Sequence, residues 1–135
     1  PLPKTPFGIT FYDAKIKDET LEELSRFDQL VALDLYKAQI SLDGAKHIGK
    51  LQNLTYLSLH STHIGDNELS ELDRLNMLVH LNLYRTGITN DSIKTLCKFE
   101  KLLTLDIRDN RIEEEKIEAL QRALPKCKIL YNPER

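Results

Sequence analysis

The chain has 135 residues, 41% hydrophobic and 30% charged, with a formal net charge of −2 at pH 7. That length suits one domain, and the near-neutral balance speaks against nucleic acid, whose partners carry a clearly basic surface. No apolar run approaches the roughly 20 residues of a membrane-spanning helix, so no membrane insertion is expected.

The opening PLPKTP is rich in proline and predicts an extended, disordered lead-in. Ile9 and Phe11 then alternate with Gly8, Thr10 and Tyr12, which is the period of a strand with one apolar face. No helix pattern precedes the strand Gly8–Tyr12 in this sequence, so its edge is expected to be open for pairing with a second copy or a neighbouring domain. Ile16, Leu21, Leu24 and Phe27 complete a first apolar set. Moved on by 24 residues, the set returns as Leu33, Leu35, Ile40, Ala45, Ile48 and Leu51. It returns again as Leu57, Leu59, Ile64, Leu69, Leu72 and Leu75, and then as Leu81, Leu83, Ile88, Ile93, Leu96 and Phe99. A fifth copy reads Leu105, Ile107, Ile112, Ile117, Leu120 and Ala123, and Ile129 with Tyr131 begins a sixth before the tail YNPER, which is expected to fray. The sharpest column is Ile16, Ile40, Ile64, Ile88 and Ile112.

Within each copy a gap of two marks a strand and gaps of three mark a helix or 3₁₀ segment. No single unit can bury such a stripe alone, whereas stacked units share one continuous core. The chain is therefore expected to be a single domain over 1–135. Its repeats run 6–29, 30–53, 54–77, 78–101 and 102–125, with a closing strand and tail at 126–135.

The stretches LVALDLYKAQI, LTYLSLHSTHI, LVHLNLYRTGI and LLTLDIRDNRI fit the pattern LxxLxLxxTxI, with Ala, Thr or Asn at the ninth place. They resemble the leucine-rich repeat family over nearly the whole chain. The resemblance implies an α/β fold: a right-handed β/α horseshoe arc with a parallel concave sheet and convex helices or 3₁₀ segments. The 24-residue form, its helical LxxLxxL half and the ending ALPKCKILY resemble arrays in bacterial multidomain proteins, some of which carry c-type haem domains. For function the motif itself implies almost nothing.

Arg26, Lys50, Arg74, Lys98 and Arg122 recur near helix ends, and Asp18, Asp43, Asp66, Asp91 and Glu114 near helix starts. Complementarity to the helix dipole accounts for both columns better than a cationic rail does. Cys97 and Cys127 fall in different parts of neighbouring repeats, outside any CxxC or CxxCH motif, and are expected to be free thiols. Free thiols fit a reducing, cytoplasmic compartment; an extracytoplasmic domain of a bacterial protein is the alternative.

No constellation for catalysis emerges. His60 and His80 are expected about 13 Å apart, too far to share a metal ion, and Asp34 and Asp106 about 14 Å apart, too far for a glycosidase pair. Neither enzyme activity nor a cofactor or metal is expected.

The outward strand positions carry more information. They form three columns: Gly8, Ala32, Tyr56, His80, Thr104; then Thr10, Asp34, Ser58, Asn82, Asp106; then Tyr12, Tyr36, His60, Tyr84, Arg108. A mixed-charge rim follows, reading Asp13, Lys37, Ser61, Arg85 and Asp109. Tyrosine offers a large rigid area for little entropy, and tyrosine and arginine both recur at binding hot spots. The expected function is non-catalytic recognition of a protein or peptide at the concave face, through Tyr12, Tyr36, Tyr56, His60, His80, Tyr84 and Arg108. The alternative is a structural, accessory terminal domain of a larger multidomain protein, in the resemblance a c-type-haem one. It would dock, or form a homodimer, through the Gly8–Tyr12 edge.

Overall fold

The computed structural model describes residues 3–13 and 15–133. The first two residues of the lead-in and the last two of the tail, part of the segments expected to be loose, lie outside the described residues. Among them, strands and helices alternate: β1 (Phe7–Tyr12), α1 (Asp18–Leu24), β2 (Leu30–Tyr36), α2 (Leu42–Ile48), β3 (Tyr56–Ser58) and α3 (Asp66–Ser70). Then follow β4 (His80–Asn82), a 3₁₀ turn (Asn90–Ser92) running into α4 (Ile93–Leu96), β5 (Thr104–Asp106), α5 (Glu114–Ala123) and β6 (Lys128–Leu130).

The strands lie in sequence order in one parallel sheet. Gly8, Ala32, Tyr56, His80, Thr104 and Lys128 stand side by side, so the 24-residue sequence repeat is also the register of the sheet. The one slip falls between Phe7 and Gly8. The chain leaves each of the first five strands through a left-handed residue: Asp13, Lys37, Ser61, Arg85 and Asp109, with φ between 49° and 58°. No glycine occupies this position, although glycine would adopt it at least cost.

The inward strand residues Leu33, Leu35, Leu57, Leu59, Leu81, Leu83 and Leu105 meet Leu21, Ile48, Leu69, Leu72, Leu96 and Phe99 in one core. Burial is complete in the middle and falls toward the ends. In the isoleucine column Ile64 and Ile88 are fully buried, Ile16 and Ile40 keep 9% and 7% exposure, and Ile112 is half-buried. Phe7, Ile9, Phe11 and Phe27 are also only half-buried, because among the described residues none covers the β1 end of the stack.

Two sequence expectations need correction. Ala123 is exposed and Leu124 takes the core place. The reason is that α5 is ten residues long, so the helical period continues from Ile117 and Leu120 to 124. In the shorter helices the chain has already turned back, which brings Leu51, Leu75 and Phe99 inward. Likewise only Arg122 of the basic column lies inside a helix's last turn. Arg26, Lys50, Arg74 and Lys98 follow the caps Ser25, Gly49, Glu71 and Cys97. Two of these bases pair with carboxylates instead: Lys98 with Asp73 at 2.8 Å and Arg26 with Glu22 at 3.7 Å.

Neighbouring repeats are tied by side chains at the helix starts. Asp18 accepts from the Ser41 hydroxyl at 2.8 Å. Asp66 accepts from the Thr89 N–H at 2.8 Å, the Thr89 hydroxyl at 2.6 Å and the Ser92 hydroxyl. Asn90 accepts from the Glu113 N–H at 2.9 Å. The same column holds Leu42 in the second repeat, where it is 41% exposed. There the Gly65 N–H turns to Glu68 of its own helix, at 2.9 Å. Under the strand exits Thr62 donates to the Leu59 carbonyl, and Asn110 bridges to the Leu83 and Ile107 carbonyls.

Candidate functional site: the open face of the sheet

Strand alternation sends every second side chain away from the helices, and the shared register lines those side chains up across the sheet. The seven residues singled out in the sequence all fall on this face, in three groups. Tyr36 and His60 stack, with ring centroids 4.4 Å apart and planes 21° from parallel. Tyr12 meets the edge of Tyr36 at 6.4 Å and is 74% exposed. Tyr56 and His80 form a second, tilted pair at 6.5 Å. Tyr84 lies under the Arg108 guanidinium, 5.4 Å from ring centre to carbon. Among the described residues no ring contact joins His60 to Tyr84, so the third column is two clusters rather than one ladder.

Several of these groups are held in place. Arg108 grips Asp106 with two parallel bonds of 3.0 and 2.7 Å, a fork geometry that fixes the guanidinium and offsets its charge. The hydrogen bonds that Arg108 donates to Asp106, and the charge of that carboxylate, push the Arg108 pKa up, so the side chain stays protonated. The Asp109 carboxylate beside Tyr84 holds that phenol above its usual pKa, so it is a hydroxyl and not a phenolate at neutral pH. His80 Nδ1 shares a hydrogen bond with the Thr104 hydroxyl.

The middle column contains features the sequence did not reveal. Asp34 and Ser58 are register neighbours. Asp34 Oδ1 and Ser58 Oγ are both buried without a hydrogen-bond partner among the described residues, and Ser58 is 1% exposed. Composition cannot signal this, because it depends on how the flanking rings fold over a short column. The rim was visible as a charge pattern, but its left-handed backbone was not.

Among the described residues no group of three His, Cys, Asp or Glu side chains comes together as a metal site. Cys97 and Cys127 are free. Burial raises both thiol pKa values, which makes poor nucleophiles. A cleft lies off the aromatic face, beside Ile16, Lys17, Gln39 and Ile40. No helix among the described residues is long and apolar enough to cross a membrane.

No family model matches the sequence, and comparison with curated proteins gives no match. Solved structures do match. A leucine-rich repeat protein of Leptospira interrogans superposes with a TM-score of 0.62 and 26% identity, covering 79% of this chain and 26% of that one. An internalin of Listeria monocytogenes gives 0.54 and 17%, covering 95% and 39%. The plant peptide hormone receptor RGFR1, solved in complex with RGF2, gives 0.52 and 15%, covering 82% and 22%. The chain thus spans about a quarter of the Leptospira protein and under two fifths of the internalin. With its 24-residue register, its single parallel sheet and these neighbours, the chain has the fold of the leucine-rich repeat proteins.

Proposed function

We propose that the chain is a non-catalytic recognition module that binds a protein or peptide through the concave, helix-free face of its sheet. The observation that carries this reading is the pre-assembled ring set on that face, above all the Tyr36–His60 stack with Tyr12 at its edge. Rings already packed against one another lose little freedom when a partner covers them, and their polar tips supply hydrogen bonds. Tyr12, Tyr36, Tyr56, His60, His80, Tyr84 and Arg108 would make the contacts. A leucine-rich repeat receptor seen bound to a peptide hormone supports the class of ligand. The test is a pull-down from source-cell extract with wild type beside a Tyr36→Ser/Tyr84→Ser variant checked for folding. A partner kept by wild type and lost by the variant supports the reading, and partners held equally by both sink it.

One observation favours a second reading, in which the chain is an accessory terminal domain that docks or dimerises through β1. That outermost strand is six residues long, and the apolar residues behind it are half-buried. Phe7 N–H and Asp13 N–H point inward to the Gln29 and Tyr36 carbonyls. By alternation the Thr10 N–H faces the open side. Thr10→Pro should therefore block edge pairing while leaving the strand in the sheet. A dimer in light scattering that becomes a monomer in this variant would support docking at β1. A monomer at every concentration would remove the homodimer.

A further inference from the structure

The rim beside the aromatic face has a pattern of its own. Read across the sheet it runs acid, base, hydroxyl, base, acid: Asp13, Lys37, Ser61, Arg85 and Asp109. The central three line a notch of about 540 Å³, with His63, Thr62 and Thr86 completing its wall. Among the described residues no carboxylate lines it, although the chain as a whole is slightly acidic. The Thr62 hydroxyl is committed to the Leu59 carbonyl, and the Thr86 hydroxyl is occupied by Leu83 and Asn110. The groups left to receive a ligand are the Lys37 ammonium, the Arg85 guanidinium, His63 and the Ser61 hydroxyl. Among the described residues neither Lys37 nor Arg85 belongs to an ion pair.

Lys37 and Arg85 sit two strands apart, about 10 Å between backbones. Two long side chains can close that span on a single carboxylate seated over Ser61. Both residues also hold a left-handed backbone, with φ of 54° and 52°, which neither lysine nor arginine favours. The notch is continuous with the ring set, because Lys37, Ser61 and Arg85 directly follow Tyr36, His60 and Tyr84, and the Lys37 ammonium lies 5.1 Å from the centre of the Tyr36 ring. A segment lying on the rings therefore passes the notch with its next side chain.

We infer that the partner is an acidic peptide segment, with an Asp or Glu carboxylate held between Lys37 and Arg85 over Ser61 while its neighbouring residues pack on Tyr36, His60 and Tyr84. This rests on the proposed recognition role and narrows it to a class of ligand. Asp13 and Asp109 at the ends of the rim would repel further acids and so set the register of that one carboxylate.

The experiment is selection of a random hexapeptide display library on the folded chain, at about 0.05 M salt to limit screening. Selected peptides are then remade as blocked synthetic peptides, each with its Glu→Gln or Asp→Asn counterpart. The expected result is enrichment of one acidic residue beside an apolar or aromatic one. Affinity should fall about five- to tenfold when the carboxylate becomes an amide. The Lys37→Gln/Arg85→Gln variant should bind acid and amide forms alike, with its melting temperature no lower than that of wild type. Peptides without acid preference that still need Tyr36 and Tyr84 would overturn the acidic-peptide inference and leave the recognition role standing. Acidic peptides that bind the double glutamine variant as well as wild type would overturn it also. No enriched peptide at all would count against both.

Discussion

Arg85 and Lys37 are long, charged residues in a backbone conformation that L-residues other than Asn and Asp avoid. Their equivalents Asp13 and Asp109 tolerate it better. Arg85→Asn should therefore raise stability by about 0.5–1 kcal/mol in chemical denaturation. An unchanged or lowered midpoint would show that the arginine makes stabilising contacts beyond those described. Gly49 is the opposite case. A Cβ there would stand 2.3 Å from the Glu71 carbonyl oxygen, so the glycine is what lets α2 approach the next repeat. Gly49→Ala should cost about 1–3 kcal/mol by overpacking, read as a drop in denaturation midpoint. At this scale the sequence showed which side chains share a column, because register follows from the repeat. Ring pairing, the unpartnered Asp34 and Ser58 and the left-handed rim depend on rotamers and turn geometry, which a periodic pattern does not encode.

The short helices hold together through acceptors at their starts as much as through length. Asp66 receives three hydrogen bonds from the next repeat, and Asp66→Ala should cost about 1 kcal/mol or somewhat more. Burial pushes the Asp66 pKa up, but the hydrogen bonds from Ser92 and Thr89 and the charge of Lys94 outweigh it, and the net value lies below 3.8. The unfolded chain thus binds this proton first as pH falls. The stabilisation is complete above the unfolded value and is lost as pH drops through the folded one. An Asp66→Asn variant should accordingly show a flatter stability profile below about pH 4 than wild type; equal profiles would refute the assignment. Leu42 marks the gap in the same column. Leu42→Asp should supply the Gly65 N–H with an acceptor from the preceding repeat and stabilise by about 0.5–1 kcal/mol. It should also reduce the cost of Glu68→Ala, because Glu68 now serves that N–H alone; additive effects in the double-mutant cycle would contradict this. The sequence read the acids as dipole partners. Their role as ties between repeats was out of reach, since it requires knowing which loop the next repeat lays beside each helix start.

For the whole molecule, the one-dimensional stack makes stability a matter of neighbours. The interior strands are covered on both sides, whereas β1 is backed by half-buried Phe7, Ile9 and Phe11. Amide exchange should be slowest at Leu57 and Leu81 and faster along β1, and uniform rates would argue against graded stability. The architecture was almost wholly legible in the sequence, because a repeat repeats its errors as well as its signals and five copies outvote any single residue. What failed was the fifth helix, where the chain stops obeying the repeat and Leu124 displaces Ala123. The candidate site was legible only as a face, since the fold hosts many partners and names none.

The most direct test of recognition at the open face is an exchange footprint of a captured partner or selected peptide on the folded chain. The account predicts protection at residues 34–37, 56–61 and 80–85, with α2, α3 and α4 unchanged. Protection confined to the helices, or to β1 alone, would contradict it.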